Sequence, residues 1–582
     1  MRHLGSLLVL CVLAALPVAP GHAAAGAEPV DLEMVNRIRD EGFERSGVME
    51  TARGLTEVVG ARLTGSPGMR RANEWTRDRL AGWGLGNAHL EPWGPFGRGW
   101  SFDRASVHLV EPLQLPLIAL PQAWTPGTGG PVRGEAVRVT LESEEDLEKH
   151  RGKLAGKVLL LDEARELRDW DGPVVEQYDE DELAGLGDFE IPDEGGQPWR
   201  ARARKRYRFR KKLNEFLVEE GAVATIEVSS RDAGLVRVGG AGSREPDEST
   251  GVPALVMAVD HYNRLVRLAE DAAVDDGTEA ESGDEAAVTA GAENGSEKAD
   301  AADAPAPEPV EPEADAEPES PPGPAPVVEI DVVARFHDDD PMAYNTLAEI
   351  PGTDLADQVV MAGAHLDSWH AGTGATDNGA GCAVVMEAFR ILAALDVHPR
   401  RTLRIGLWSG EEQGLLGSRG WVFEHLGSRT EPDDPEERDL PAFLRTSQGE
   451  LQLKPAQSKL SAYFNLDNGG GKIRGIYTQG NVAVVPIFEA WLAPFHDLGA
   501  TTVTTNDTGG TDHLSFDAVG VPGFQFVQDM RDYETLTHHT NADTFDHLNR
   551  EDLVQASVIF AAFLYDAAMR DEPLPRKPLP RD

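Results

Sequence analysis

The feature that most narrows what this chain can fold into is the alternation of short apolar runs and helical patterns from about residue 340 onward. Val359–Ala364, Thr402–Trp408, Ser461–Leu466 and Gly523–Val527 are unbroken apolar runs of strand length. Ala380–Leu395, Leu415–Leu426, Val484–Leu498 and Glu551–Ala568 carry helical spacing between or after them. Strands that are apolar on both faces need cover on both faces, which is the condition of a parallel sheet flanked by helices. The pattern predicts an α/β fold with a doubly wound, mostly parallel sheet. In such sheets ligands gather beyond the carboxyl ends of the strands.

Three of these strands run into ionisable groups. The first ends in His365-Leu-Asp367-Ser, and a glycine-rich loop then brings Asp377 to the mouth of the next helix. The second ends in Ser409-Gly-Glu411-Glu412, and the third in Asn465-Leu-Asp467 before three glycines. His538-His539-Thr-Asn-Ala-Asp543-Thr544 precedes the last helix. Each has an ordinary structural reading when taken alone: a hydrogen-bonded His-x-Asp pair, a solvated acidic turn, a packed loop histidine. Together they are two histidines and three carboxylates from separate strand ends, plus a spare glutamate. Mixed imidazole and carboxylate donors suit zinc ahead of manganese or cobalt, and the lack of cysteine ligands argues against a closed structural site. The set exceeds what one catalytic zinc takes from protein, and two metals sharing a bridging carboxylate and a bridging water fit it better. Adjacent Glu411 and Glu412 cannot both point the same way, so one can hold a cation while the other accepts a proton.

At 582 residues the chain is too long for one core, so two domains are expected. The formal charge of −45 argues against nucleic acid and anionic membrane surfaces as partners. Much of that charge lies in Glu270–Pro326, where eighteen carboxylates face one lysine and disorder is expected. Met1-Arg-His, the apolar stretch Leu4–Val18 and small residues up to Ala25 read as a secretory signal, which places the protein in the periplasm or medium. Cys11 lies in that stretch, so Cys382 is the sole thiol expected in the mature chain, with no internal disulfide. No later segment reads as long and apolar enough to cross a membrane.

Helical patterns at Val30–Leu55 and Met69–Leu85 are joined by the turn-rich Arg62-Leu-Thr-Gly-Ser-Pro-Gly. From about 114 to 335 the texture changes to short strands with few helices. One of those helices, Ala201–Glu220, begins very basic and reads as a solvated face rather than a site for an anionic partner. The acidic stretch Thr430–Pro455 reads as a surface insertion.

In their order, Ala364-His365-Leu-Asp367-Ser, Asp377-Asn-Gly-Ala-Gly, Ser409-Gly-Glu411-Glu412, Asn465-Leu-Asp467 and His539-Thr-x-x-Asp543-Thr544 resemble metallopeptidase family 28. That family contains the co-catalytic zinc aminopeptidases and glutamate-carboxypeptidase-like enzymes. The similarity covers roughly 340–570 and takes in the N-terminal helices. The stretch with Gly152-Lys-Leu-Ala-Gly-Lys-Val-Leu-Leu-Leu and Ala222-Val-Ala-Thr-Ile resembles a protease-associated domain. The resemblance implies the zinc exopeptidase fold, with a signal peptide at 1–25, peptidase segments at 26–113 and 336–572, a β-rich insertion at 114–335 containing the acidic segment 270–326, and a tail at 573–582.

It further implies two Zn2+ per chain, one held by His365 and Asp467 and one by Glu412 and His539. Asp377 would bridge them, and its peptide bond to Asn378 is often cis in the family. Glu411 would be the general base acting on the metal-bridged water. Asp367 would accept the other N–H of His365, His538 would donate to the developing oxyanion, and Asp543 would steady the loop of His539. Gly509-Gly-Thr511-Asp512-His513 would line the substrate pocket, set against an ordinary N-cap role for Asp512. The implied function is a secreted exopeptidase acting on peptides or dipeptides, with an aminopeptidase favoured over a carboxypeptidase or dipeptidase. A one-zinc glutaminyl-cyclase-like enzyme is a further reading. So is an amidohydrolase-like exopeptidase, although its extra domain would follow the Glu-Glu motif. A non-catalytic receptor or scaffold would have lost ligands or the base. Neither a nucleic-acid partner nor stable membrane insertion is expected.

Overall fold

The computed structural model describes residues 28–168, 172–188, 198–275, 324–438, 440–441, 444–446 and 449–579. The signal expected at 1–25, most of the acidic segment expected at 270–326 and the last three residues of the tail lie outside the described residues.

Two eight-stranded sheets organise the chain. In the first, Arg401–Trp408, Leu355–His365, Leu460–Asn465 and Gly523–Gln528 lie side by side and parallel. Ala343–Ile350 and Gly86–Trp93 extend one edge antiparallel, and Ile473–Tyr477 joins antiparallel at the other, followed by Thr502–Thr504. The sheet is therefore parallel at its centre and mixed at its margins. Helices cover both faces, as the unbroken apolar strands require. Ala380–Ala394, Arg550–Met569, Leu32–Arg45 and Pro67–Gly82 pack with Val360, Ala362 and Phe464 on one face. Trp421 and Phe516 pack with Trp408, Met361 and Tyr463 on the other. Pro67–Gly82 shows how local sequence starts such a helix: Ser66 caps the N–H of Met69 at 3.1 Å, and Pro67 occupies a first-turn position that needs no donor.

The helix Arg550–Met569 corrects one expectation. By length and composition it could cross a membrane, but nearly all of it is buried here as the central core helix. Such a helix is apolar all round because it is covered all round.

The second sheet runs Leu115–Leu117, Gly99–Glu111, Val327–His337, Val132–Arg138, Lys157–Leu160, Ala224–Val228, Ala254–Met257, Ala119–Pro121. Gly99–Glu111, grouped by sequence with the peptidase segment, instead pairs along its length with Val327–His337. The sequence could not show this because the pairing spans more than two hundred residues. Alternation places Val158 and Leu160 toward Tyr262 and Leu265, and Leu159 toward Phe216 and Leu217. Helices Val259–Asp275 and Pro198–Glu220 thus cover opposite faces, and the region is more helical than its strand-rich sequence suggests. The basic face of Pro198–Glu220 is mostly exposed, as expected of a solvated face, and it is also paired across the fold. Arg204 pairs with Glu437, Arg208 lies 3.3 Å from Glu436, and Lys211 lies 3.4 Å from Glu248. The basic helix and the acidic insertion dock on each other.

Candidate metal centre

The strand ends of the first sheet bring the motif residues together. His365 closes Leu355–His365, with its Nε2 3.1 Å from Asp467 Oδ1 and 3.2 Å from Asp377 Oδ1. His539 Nε2 lies 3.1 Å from Asp377 Oδ2 and 3.0 Å from Glu412 Oε2. Asp377 therefore turns one carboxylate oxygen to each histidine. Donor atoms of His365, Glu411 and Asp467 lie within 4.8 Å of one another, as do those of His365, Asp377 and Glu412 and those of Asp377, His538 and His539. Residues spread from 365 to 539 in sequence share one site, and the Asp377–Asn378 peptide is cis.

The loop bearing Asp377 needs glycine where side chains would collide. At Gly374, with φ +63°, a Cβ would come within 2.3 Å of the Ser368 Cβ. At Gly381 it would meet Asn378 Oδ1 at 2.3 Å and the Leu466 carbonyl at 2.4 Å. The same loop is held by Arg62, fully buried, which donates to the carbonyls of Leu366 (2.6 Å), Thr373 (2.8 Å) and Gly374 (2.7 Å). Thr64 donates to Asp367 Oδ2 (2.9 Å) and accepts from the Gly410 N–H (2.8 Å), tying the first two strand ends together. Sequence reasoning passed over both residues as part of a turn. Nothing in their local pattern distinguishes them, because their partners lie about three hundred residues away.

Asp367 plays a different part from the one expected. His365 Nδ1 contacts the Asp367 backbone carbonyl at 3.0 Å, while the nearer carboxylate oxygen is 3.6 Å away. The carboxylate is drawn to Thr64 and to the backbone N–H groups of Glu411 (3.2 Å) and Glu412 (3.4 Å). It is fully buried and positions the Glu-Glu turn. Asp543 accepts from Thr376 N (2.6 Å), Thr376 Oγ1 (2.8 Å) and Asp377 N (3.3 Å), so it steadies the loop of Asp377 directly. His538 lines the cavity with its ring stacked on Tyr533 at 4.7 Å and its Nδ1 3.4 Å from Glu534. Gly509, Gly510 and Thr511 also line the cavity. Asp512 makes no helix-capping hydrogen bond, and His513 turns to Gln479 and the Thr508 carbonyl instead.

The electrostatics ask for a cation. Burial, reinforced by Asp467, Asp512 and Glu412, holds Glu411 well above the usual carboxylate range despite His365. Burial and Asp377 raise Glu412 as well, against His539. Burial opposes charge on His539, yet Glu412 and Asp377 outweigh it and lift the imidazole to about 10. Asp377 Oδ2 and Glu412 Oε1 are buried without a hydrogen-bond partner among the described residues, the former despite its close contact with His539. Buried acids left this way are expensive unless a cation joins them. Two imidazoles and carboxylates crowded at 3.0–3.2 Å form a donor set that suits zinc. The cavity above them has a volume of about 830 Å³.

The model of peptidase family M28 matches residues 345–564, which contain all of these groups. Carboxypeptidase Q from Bos taurus is 30% identical over 239 residues, 41% of this chain and 44% of that protein. Leupeptin-inactivating enzyme 1 from Streptomyces exfoliatus is 32% identical over 181 residues, 31% of this chain and 34% of that protein. The chain thus matches less than half the length of these curated relatives. A crystal structure of a peptidase M28 precursor from Shewanella amazonensis SB2B aligns over 94% of this chain and 99% of its own, with a TM-score of 0.58 and 23% identity, a likeness of fold. It is over residues 345–564, which carry the whole candidate metal centre, that the chain is similar to peptidase family M28.

Proposed function

We propose that this protein is a two-zinc exopeptidase that removes residues from the ends of peptides. The observation that carries the reading is Asp377 facing His365 at 3.2 Å and His539 at 3.1 Å through different carboxylate oxygens. His365 and Asp467 would hold one zinc, Glu412 and His539 the other, with Asp377 shared between them. Bound there, the metals supply Lewis acidity toward the scissile carbonyl and toward the attacking water. Glu411 accepts the proton of that water and hands it to the leaving nitrogen. His538, which lines the same cavity, would donate to the oxygen that gains charge. Asp367 keeps Glu411 and Glu412 on separate paths through their backbone N–H groups.

The second sheet we read as a protease-associated insertion, on its sequence resemblance. It meets the site directly: Val238 N donates to the His539 carbonyl at 3.1 Å, and Val236 N donates to Asn541 at 2.7 Å. Export rests on the signal-like N-terminus. For the end of the peptide attacked, sequence leans to an aminopeptidase, while the arginines of the cavity lining favour a substrate that carries a carboxylate.

Glu411→Gln tests the assignment. It should retain two zinc ions per chain by elemental analysis and lose on the order of 10²–10⁴-fold in turnover. Near-normal turnover would refute the role given to Glu411, and one zinc per chain in the unmutated protein would favour the cyclase-like reading.

A further inference from the structure

The groups lining the cavity fall into two kinds. Tyr533, Glu534 and His538 are already engaged: the rings of Tyr533 and His538 stack, and Glu534 lies 3.4 Å from His538 and 3.5 Å from Arg231. The hydrogen bond from His538, with the charge of Arg231 behind it, holds the Glu534 carboxyl down at about 2. Among the described residues it is the one acid of the cavity lining outside the proposed zinc ligands and Glu411, and it is already held by these protein partners.

Other lining groups have capacity left over. Both side-chain polar atoms of Gln413 are buried without a hydrogen-bond partner among the described residues, and so is Nη1 of Arg419. Arg419 forms no ion pair among the described residues. Burial penalises its charge, and only the more distant fields of Asp512 and Glu411 oppose that penalty. It is also the fourth residue of helix Leu416–His425, near the end where the helix dipole disfavours a cation. A guanidinium nitrogen buried with an unused N–H, at a positive helix end, is costly even where the rest of the side chain is half-buried. Arg445 adds a second cation to the lining, its Nε and Nη2 fixed by the carbonyls of Leu440 and Arg438, each at 2.9 Å. Guanidinium groups of this kind match carboxylates by their planar fork.

We propose that Arg419, supported by Gln413, receives a substrate carboxylate on the leaving side of the scissile bond, so that the substrates are short peptides bearing an anion on the residue released. This rests on the exopeptidase reading and refines it. The carboxylate is supplied by a free C-terminus or by an acidic side chain. The first source makes the enzyme a dipeptidase or carboxypeptidase, and the second makes it selective for acidic residues.

The test uses the full, zinc-loaded chain with Ala-Ala, Ala-Ala amide and Ala-Asp amide. Ala-Ala, Ala-Asp amide or both should exceed Ala-Ala amide in kcat/KM by about 10–100-fold, chiefly through KM, as expected for a charge-assisted hydrogen bond. Arg419→Met should bring that ratio close to one, and Arg419→Lys should restore part of it. A purely structural role would lower all three substrates alike and keep the ratio. Equal use of all three by the unmutated protein, or a ratio that survives Arg419→Met, overturns the proposal. Should Arg419→Met fail to fold, Arg419→Lys and Gln413→Leu carry the same comparison. If no peptide is cleaved, the exopeptidase reading fails separately. Calorimetric binding of the same three peptides to zinc-loaded Glu411→Gln then decides the carboxylate site: a preference lost with Arg419→Met sustains it, and equal binding refutes it.

Discussion

The two eight-stranded sheets share a plan, four parallel strands with antiparallel additions at the edges, and they treat their strand-end acids in opposite ways. In the second sheet Asp162 follows Lys157–Leu160, and its Oδ2 accepts the Val228 N–H at 2.8 Å. Tyr262 bonds the backbone of the same residue, and Arg165 takes up Asp232 at 2.5 Å. These acids close a loop between strands. In the first sheet Asp377 and Glu412 keep oxygens without donors among the described residues, and acids converge on the two histidines. Architecture is therefore not what separates a metal-binding sheet from an inert one. The difference is whether backbone N–H groups and arginines have already claimed the carboxylates.

The comparison breaks most sharply at Asp377. Asp377→Ala should weaken zinc retention by more than about a hundredfold, beyond what loss of an outer partner costs, and abolish turnover. Dialysis against a chelator series with metal analysis reads this, and full zinc occupancy would contradict the bridging role. The next largest effect falls on the support. Arg62→Met leaves the carbonyls of Leu366, Thr373 and Gly374 without their donor, and should cost about 3 kcal/mol or more in denaturant unfolding. In the second sheet Asp162→Ala should cost about 1–3 kcal/mol, through the Val228 N–H it orphans, and leave zinc content unchanged. A drop in zinc there would show that the two sheets are not separable in function.

The smallest effect concerns an acid that no cation rescues. Asp566, in the core helix, is pushed by burial, with Asp31 and Glu28 nearby, to about 8 from an ordinary 3.8, and its Oδ2 has no partner among the described residues. The folded protein keeps this proton where the unfolded chain has lost it, so this group's contribution to stability falls as pH rises from about 4 to about 8. Asp566→Asn should match the unmutated protein near pH 4 and exceed it near pH 8 in urea unfolding. Equal differences at both pH values would remove Asp566 as the cause.

Much of the site was legible because its chemistry is written at strand ends. An unbroken apolar run such as Val359–Ala364 announces a buried strand, and whatever follows it emerges at the edge where ligands gather. His365, Asp377, Glu411, Glu412, Asp467 and His539 stand in such places, and the structure brings them together. The role expected of the Asp367 carboxylate was less secure. Its nearness to His365 in sequence suggested a bond that Thr64 and two backbone N–H groups take instead. The pairing of Gly99–Glu111 with Val327–His337 and the docking of the basic helix on Glu436 and Glu437 were likewise beyond local reading.

The sequence by itself determined the period of each segment, the loops that need glycine and the order in which acids and imidazoles reach the sheet edge. Those properties depend on neighbours a few residues apart. Only the tertiary structure decided which polar groups are paid for and which are left over. A hydrogen-bond partner such as Arg62 for the Asp377 loop, or the want of one at Arg419, is set by surfaces that meet across hundreds of residues.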